Sequence, residues 1–213
     1  MSSKFNEYAR RLDTMAREQF ETIKKAQAVL DDAERAARLY PERQGMVDAD
    51  YAAKSARAAA DLAEARANMN GVQRHSAESM DALKKLRGEL AAAVDADYGA
   101  NPDDVNANTL ELLKSGILNG ADYVRLMDSA MGDRNFTMAR LIAKYAGEAD
   151  SDKSLDYEAR APFVSVVQRG KAATGSQYVD AFDDLTAIYR RCLDNPMLIE
   201  RWGEFTSEAV ETF

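Results

Sequence analysis

Ten residues from Asp95 to Asp104 read DADYGANPDD, four carboxylates with an Asn, a Gly and a Pro. So many hard oxygen ligands in one stretch suggest a calcium loop. A helix-loop-helix calcium site takes ligands at positions 1, 3 and 5, a glycine at 6 and a bidentate glutamate at 12. Counted from Asp95, Asp97 falls on the second ligand position, but Gly99, Ala100 and Asn106 occupy the fifth, sixth and twelfth places. The fifth place offers no side-chain oxygen and the closing glutamate is missing. The stretch reads instead as a solvated elbow between two helical parts, with Asn101, Asp103 or Asp104 capping a helix.

Other chemistry would have to draw on one histidine, His75, and one cysteine, Cys192. A di-iron bundle needs two Glu-x-x-His motifs, and a structural zinc site needs ligands beyond this pair. A cysteine or serine nucleophile would need the same lone histidine as its base. Cys192 falls on the apolar side of a helical pattern with Ile188 and Tyr189, which is the place of a packed thiol. His75, beside Arg74, reads as a solvated helix residue. The adjacent acids Asp31 with Asp32 and Asp183 with Asp184 read as solvated helix faces. No glycine-rich stretch ends in the Gly-Lys-Ser/Thr of a phosphate loop. The expectation is a protein that is not an enzyme, with no catalytic, cofactor-binding or metal-binding residues and no cofactor.

The elements carrying these residues are helical throughout. The chain has 213 residues with only four prolines and eleven glycines, and its 30% charged content fits a globular or coiled-coil protein. No run approaches the 18 apolar residues of a membrane span. The N-terminus lacks the layout of a secretion signal, and a single cysteine suits a reducing compartment, so the expected location is the cytoplasm of a host cell or a virion. Residues 1–97 hold 16 Lys and Arg against 17 Asp and Glu, a net charge of −1; residues 98–213 hold 12 against 19, a net of −7. An acidic C-terminal part without a basic patch repels phosphate backbones, so nucleic acid is not an expected partner, and neither is a membrane.

From Phe5 to Tyr40 there is no Gly or Pro, and apolar residues recur at Phe5, Tyr8, Leu12, Ala16, Phe20, Ile23, Ala26, Leu30, Ala33, Ala37 and Tyr40. The mean step of about 3.5 residues is the coiled-coil period. Pro41 stops this helix, because the residue before a proline is pushed out of the helical region. A second helix opens near Met46 or Val47, with a stripe through Tyr51, Ser55, Ala58, Leu62, Ala65, Met69, Val72, Ser76, Met80, Leu83, Leu86, Leu90 and Val94. Asn70 and Gly71 interrupt it, yet the stripe stays in phase, which favours one bent helix over two. The two helices would be roughly 55 and 75 Å long. Either the second overshoots the first, or it folds back at Gly71.

After Asp97 the chain is punctuated into short helices. Asn108 with Glu111 makes a capping pattern that Gly116 closes; Asn119 to Gly132 and Asn135 to Gly147 repeat it. Pro162 opens a helix running to about Gly170, Ser176 precedes the next, and Asn195 with Pro196 opens the last. Core candidates in this half include Leu113, Ile117, Tyr123, Met127, Ile142, Phe163, Phe182, Leu185, Tyr189 and Trp202.

The expected fold is therefore all-α. A long N-terminal antiparallel hairpin, coiled-coil-like, occupies residues 1–97, and a compact acidic bundle of short helices occupies residues 98–213. The candidate interaction seam is Phe5, Tyr8, Leu12, Phe20, Ile23, Leu30, Tyr51, Leu62, Met69, Leu83 and Leu90.

The segment Leu112–Ala149 resembles a stretch in uncharacterised helical proteins of tailed bacteriophages and prophages of Gram-positive bacteria. The shared pattern, Asn-x-x-Met-x-Arg-Leu-Ile-x-Lys-Tyr-Ala, falls here on Asn135, Met138, Arg140, Leu141, Ile142, Lys144, Tyr145 and Ala146. That resemblance implies a place near head genes and a role in virion assembly. The expected function is a non-enzymatic structural or assembly protein, of scaffold or head-accessory type, that self-associates and binds protein partners such as a phage coat protein. The alternative is a soluble regulatory or inhibitory binder, for example in phage counter-defence, acting through its acidic C-terminal surface.

Overall fold

The computed structural model describes residues 4–43, 45, 48–151 and 157–212. The fold is all-α, and no strand occurs among the described residues. Two long helices come first, α1 (Asn6–Leu39) and α2 (Ala49–Tyr98), then a 3-10 turn (Pro102–Asp104). Short helices follow: α3 (Ala107–Ser115), α4 (Gly120–Gly132), α5 (Phe136–Asp150), α6 (Tyr157–Ala172), α7 (Ser176–Asp194) and, after a 3-10 segment at Pro196–Arg201, α8 (Trp202–Thr212).

The chain divides into two compact units that do not follow chain order. Residues 4–86 fold with residues 184–211, and residues 87–183 form the second unit. Helices α2 and α7 are therefore each shared between units, whereas a cut after residue 97 would leave α7 whole and take only Tyr98 from α2. The expected core residues Leu185, Tyr189 and Trp202 belong to the first unit, not to the C-terminal bundle.

In the first unit, α1 ends at Leu39 before Pro41, and Tyr40 closes its last turn through the Ala36 carbonyl. Met46 and Val47, the expected opening of the second helix, lie outside the described residues. Helix α2 then runs unbroken for 50 residues, through Asn70 and Gly71. Of the two alternatives, overshoot is the outcome. The in-phase stripe across Gly71 outweighs the roughly 1 kcal/mol that a glycine costs inside a helix.

The two helices pair antiparallel in a fixed register. Gln19 donates to Ser76 Oγ at 2.6 Å beside Val72, and three heptads further along α1 the rings of Tyr40 and Tyr51 lie 6.0 Å apart. Both intervals are 21 residues, so the register does not slip. The positions between, Ala26 and Ala33 on α1 and Ala65 and Ala58 on α2, fall at the same steps of seven, and all four are buried. Alanine there lets two backbones approach closely, with little apolar surface buried per residue.

Larger side chains pack nearer the start of α1. Phe20 lies 5.4 Å from both Tyr189 and Trp202, ring centre to ring centre, and Leu12, Leu83 and Leu86 are buried. The Trp202 indole N–H donates to Asp13 at 2.8 Å, and Arg17 grips the same carboxylate.

The second unit centres on α5, which packs against α3, α4, α6 and the 3-10 turn. Met138, Ala139, Ile142 and Ala146 of α5 meet Leu113, Tyr123, Met127, Phe163 and Val166 in one cluster. Ile117, an expected core residue, is 73% exposed. It follows the left-handed Gly116, where the chain has already turned away from the helix.

Several helix ends differ from the sequence reading. The cap of α3 is Asn106, whose side chain accepts from Thr109 N–H; Asn108 is an exposed residue inside the first turn. Helix α5 passes Gly147 and ends at Asp150. Pro162 lies inside α6 instead of opening it, where it forfeits one backbone hydrogen bond. It packs over Gly120, whose hydrogen a Cβ could not replace without meeting the proline ring at 2.9 Å. Gly170 does not end α6 either. It sits where α6 crosses α5, and a Cβ there would come within 2.0 Å of the Ala143 methyl. The left-handed stop is Gly175, at φ 68°. Asn119 and Asn135 cap as expected, Asn119 with a reciprocal bond from its own N–H to Asp122, whereas Asn195 caps the 3-10 segment and the last helix starts only at Trp202.

Candidate interaction surface

The residues with the most reactive side chains are not assembled into a centre. His75 is exposed on α2, its Nδ1 3.1 Å from Glu78. Cys192 is fully buried in α7, and burial pushes its thiol above the ordinary value, away from the reactive thiolate. Asp183 accepts two bonds from the Arg87 guanidinium, at 2.6 and 2.7 Å, and the same pairing raises the arginine. Asp32 pairs with Arg35, and Asp31 accepts from Gln27.

In the opening stretch, Asp95 and Asp97 lie on the last turn of α2 and Asn101 caps the 3-10 turn through Asp103 N–H. That is an elbow geometry. Arg140 fastens it by donating to the carbonyl of Tyr98, which ends α2, and to that of Ala173 at the end of α6. Tyr98 stacks on Phe136 with ring centres 4.4 Å apart, and its phenol is pushed up to about 12, first by burial and then by a hydrogen bond with Tyr178. No group of three His, Cys, Asp or Glu placed to hold a metal occurs among the described residues.

The candidate seam turns inward. Phe5, Leu12, Phe20, Leu83 and Leu90 are buried; Tyr8, Ile23, Leu30, Tyr51, Leu62 and Met69 are half-buried. Their use is to hold the chain together, and the surfaces left over lie on either side of them.

On one flank of the hairpin the seam's own Ile23 and Met69, with Ser76, stand four residues beyond Gln19, Ala65 and Val72 of the register. Together with Leu193, Asp194 and Pro196 they line a cleft of about 530 Å³. The chain itself supplies the third wall there. On the other flank the lining residues fall three residues beyond a register position or one before it. Met15, Glu18, Thr22, His75, Glu78 and Ala82 bound a cleft of about 490 Å³, and Val29, Asp32, Ala36, Asp61, Glu64 and Asn68 are among those bounding one of about 710 Å³. Among the described residues, only those of α1 and α2 line these two clefts. Sequence reasoning missed this flank because a position three residues past the seam looks like ordinary solvent-facing surface until the partner helix and its register are known.

The second unit carries a separate cleft of about 800 Å³ with Leu118, Tyr123, Tyr145, Pro162 and Phe163 among its walls. Burial raises the Tyr123 phenol, with Glu148 and Tyr145 adding to the effect.

No protein-family model, curated protein or solved structure matches the chain. No helix among the described residues is long and apolar enough to cross a membrane. The residues that carry the phage-protein resemblance have structural places. Asn135 caps α5, Met138, Ile142 and Ala146 fill the core, Arg140 holds the elbow, and Lys144 faces solvent.

Proposed function

We propose that this chain is a non-enzymatic structural or assembly protein that acts through helix–helix contacts with other proteins, of the scaffold or head-accessory kind found in phage virions. The carrying observation is the outer hairpin. Between Ala28 and Arg66, only Ala33, Ala58 and Ala65 are buried among the described residues, while Val29 and Leu39 are 54% and 67% exposed. Alanines 52, 53, 56, 59, 60, 63 and 67 of α2 face outward as well. A two-helix arm so poorly provided with its own core gains stability from any helix laid against it.

The phage setting draws on the resemblance of Leu112–Ala149 alone. The acidic-surface alternative has less support. Asp128 and Asp150 are each held by an arginine of another helix, Arg169 and Arg160, which neutralises part of the charge that surface would present.

Sedimentation velocity of the full chain at micromolar concentration tests the proposal. Self-association that rises with concentration and weakens in Leu39→Lys is the expected result. A chain that stays strictly monomeric, encoded away from portal, protease and coat genes, would overturn it.

A further inference from the structure

We infer that the open flank of the α1–α2 hairpin is a docking groove for a basic amphipathic helix about three heptads long, supplied by a different protein. The two open clefts follow one another along the same flank. On α1 they share the series Met15, Thr22, Val29 and Ala36, and on α2 the antiparallel series Ala82, His75, Asn68 and Asp61, each in steps of seven. In a pair of helices wound on a heptad seam, positions seven apart stay on one flank. From Met15 to Ala36 the groove runs roughly 31 Å, the length of a helix of about 21 residues.

The same hairpin shows what such a flank accepts. Its opposite side, where Ile23 and Met69 lie, is walled by the end of α7 and by Pro196, so one flank already packs against a third segment. The open flank has a floor suited to close helix approach, Ala33, Ala36, Ala65 and Ala82, with Val29 and Met15 as its larger apolar members.

Charge selects the occupant. Glu18, Asp32, Asp61, Glu64 and Glu78 line the two clefts and His75 is the sole basic type among the lining residues, while Lys25, which lines neither, falls on the rim between Glu18 and Asp32 by the same steps of seven. Arg35, Arg57 and His75 engage Asp32, Asp61 and Glu78 through exposed pairs within one helix, which contribute little and exchange readily. Glu18 and Glu64 make no ion pair within 4.0 Å among the described residues. A second copy offering this flank would set like charges opposite each other, and phosphate-bearing partners would be repelled. An amphipathic helix with Lys or Arg beside an apolar stripe matches both floor and rim.

The inference rests on the proposed function for the statement that the partner is a protein, and the two fail separately. A strictly monomeric chain, encoded away from portal, protease and coat genes, that still takes the basic helix fails the first and keeps the second.

The probe is a synthetic fluorescent peptide of three heptads, Leu at the two apolar positions and Lys at the two flanking ones, titrated with the full chain and followed by anisotropy. Binding near about 10 μM at low salt is expected, weakening at about 0.3 M salt, with none for the same peptide carrying Glu in place of Lys. The double variant Glu18→Lys, Glu64→Lys should weaken binding at least about tenfold, as should Ala36→Trp, which blocks the floor without changing charge. Glu111→Lys, an exposed reversal in the second unit, should stay within about twofold. The two glutamates are exposed, so the double variant should fold even if Ala36→Trp does not. Failure of the Lys peptide to bind, or equal losses in the Glu111 and Glu18/Glu64 variants, overturns the inference. So does self-association that the Glu18/Glu64 reversal abolishes, because a second copy would then be the occupant.

Discussion

The outer hairpin and the bundle around α5 use opposite packing chemistry. The hairpin from Ala28 to Arg66 is held by alanines in register, while α5 is surrounded by Leu, Met, Tyr, Phe, Ile and Val side chains. Burial of a large apolar side chain is worth about 1.5–3 kcal/mol, several times that of an alanine methyl. Stability and availability therefore separate along one chain. The region that can lose nothing is the α5 core, and the region with surface to offer is the hairpin.

The sharpest way to break that comparison is to truncate a comparable side chain in each region. Ile142→Ala should cost about 3 kcal/mol by chemical denaturation, whereas Leu62→Ala, half-buried in the hairpin, should cost less than about 1 kcal/mol. Equal losses would mean that the hairpin is as well packed as the core. A crossing tight enough to exclude a methyl should resist growth too. Gly170→Ala is expected to destabilise by about 1–3 kcal/mol, because neither the α5 backbone nor the Ala143 methyl can move aside easily.

A smaller effect separates two asparagines two residues apart. Asn106→Ala should lose about 1 kcal/mol with the cap of α3, and Asn108→Ala should be close to neutral in the same thermal melt. On the hairpin the sign reverses. Gly71 lies on exposed helix with open space where a Cβ would go, so Gly71→Ala should gain about 0.5–1 kcal/mol. A loss there would show that the glycine serves a bend.

The smallest effect at neutral pH is nil and opens only in alkali. Tyr98 keeps its proton in the folded chain up to about 12, while an unperturbed tyrosine releases it near 10.0. Between those values the native state binds more protons than the unfolded one, so stability falls as pH rises through the window. Tyr123 and Tyr189 are raised in the same direction, Tyr189 by burial against an opposing Ser79. Tyr98→Phe, which keeps the stack on Phe136, should flatten denaturation midpoints measured across that range.

Much of this was written locally. The 3.5-residue stripe, Pro41, and the caps at Asn119, Asn135 and Asn195 mark elements by rules that act within a turn or two of helix. Where those rules failed, a distant partner had intervened. Gly170 looks like a helix stop, yet it is spent on the approach of Ala143, and Pro162 looks like a helix start, yet it packs over Gly120. The candidate seam was legible as a stripe. Which of its flanks stays open was not.

The sequence by itself determined that every element is a helix, where most of them begin, and which stripe each turns inward, because helix propensity, capping and heptad spacing depend on neighbours along the chain. The tertiary structure decided the register of α1 on α2, the sharing of α2 and α7 between two units, and the gathering of five carboxylates along one groove. Those depend on which residues far apart in sequence meet in space, and periodicity repeats every seven residues without saying which repeat faces which.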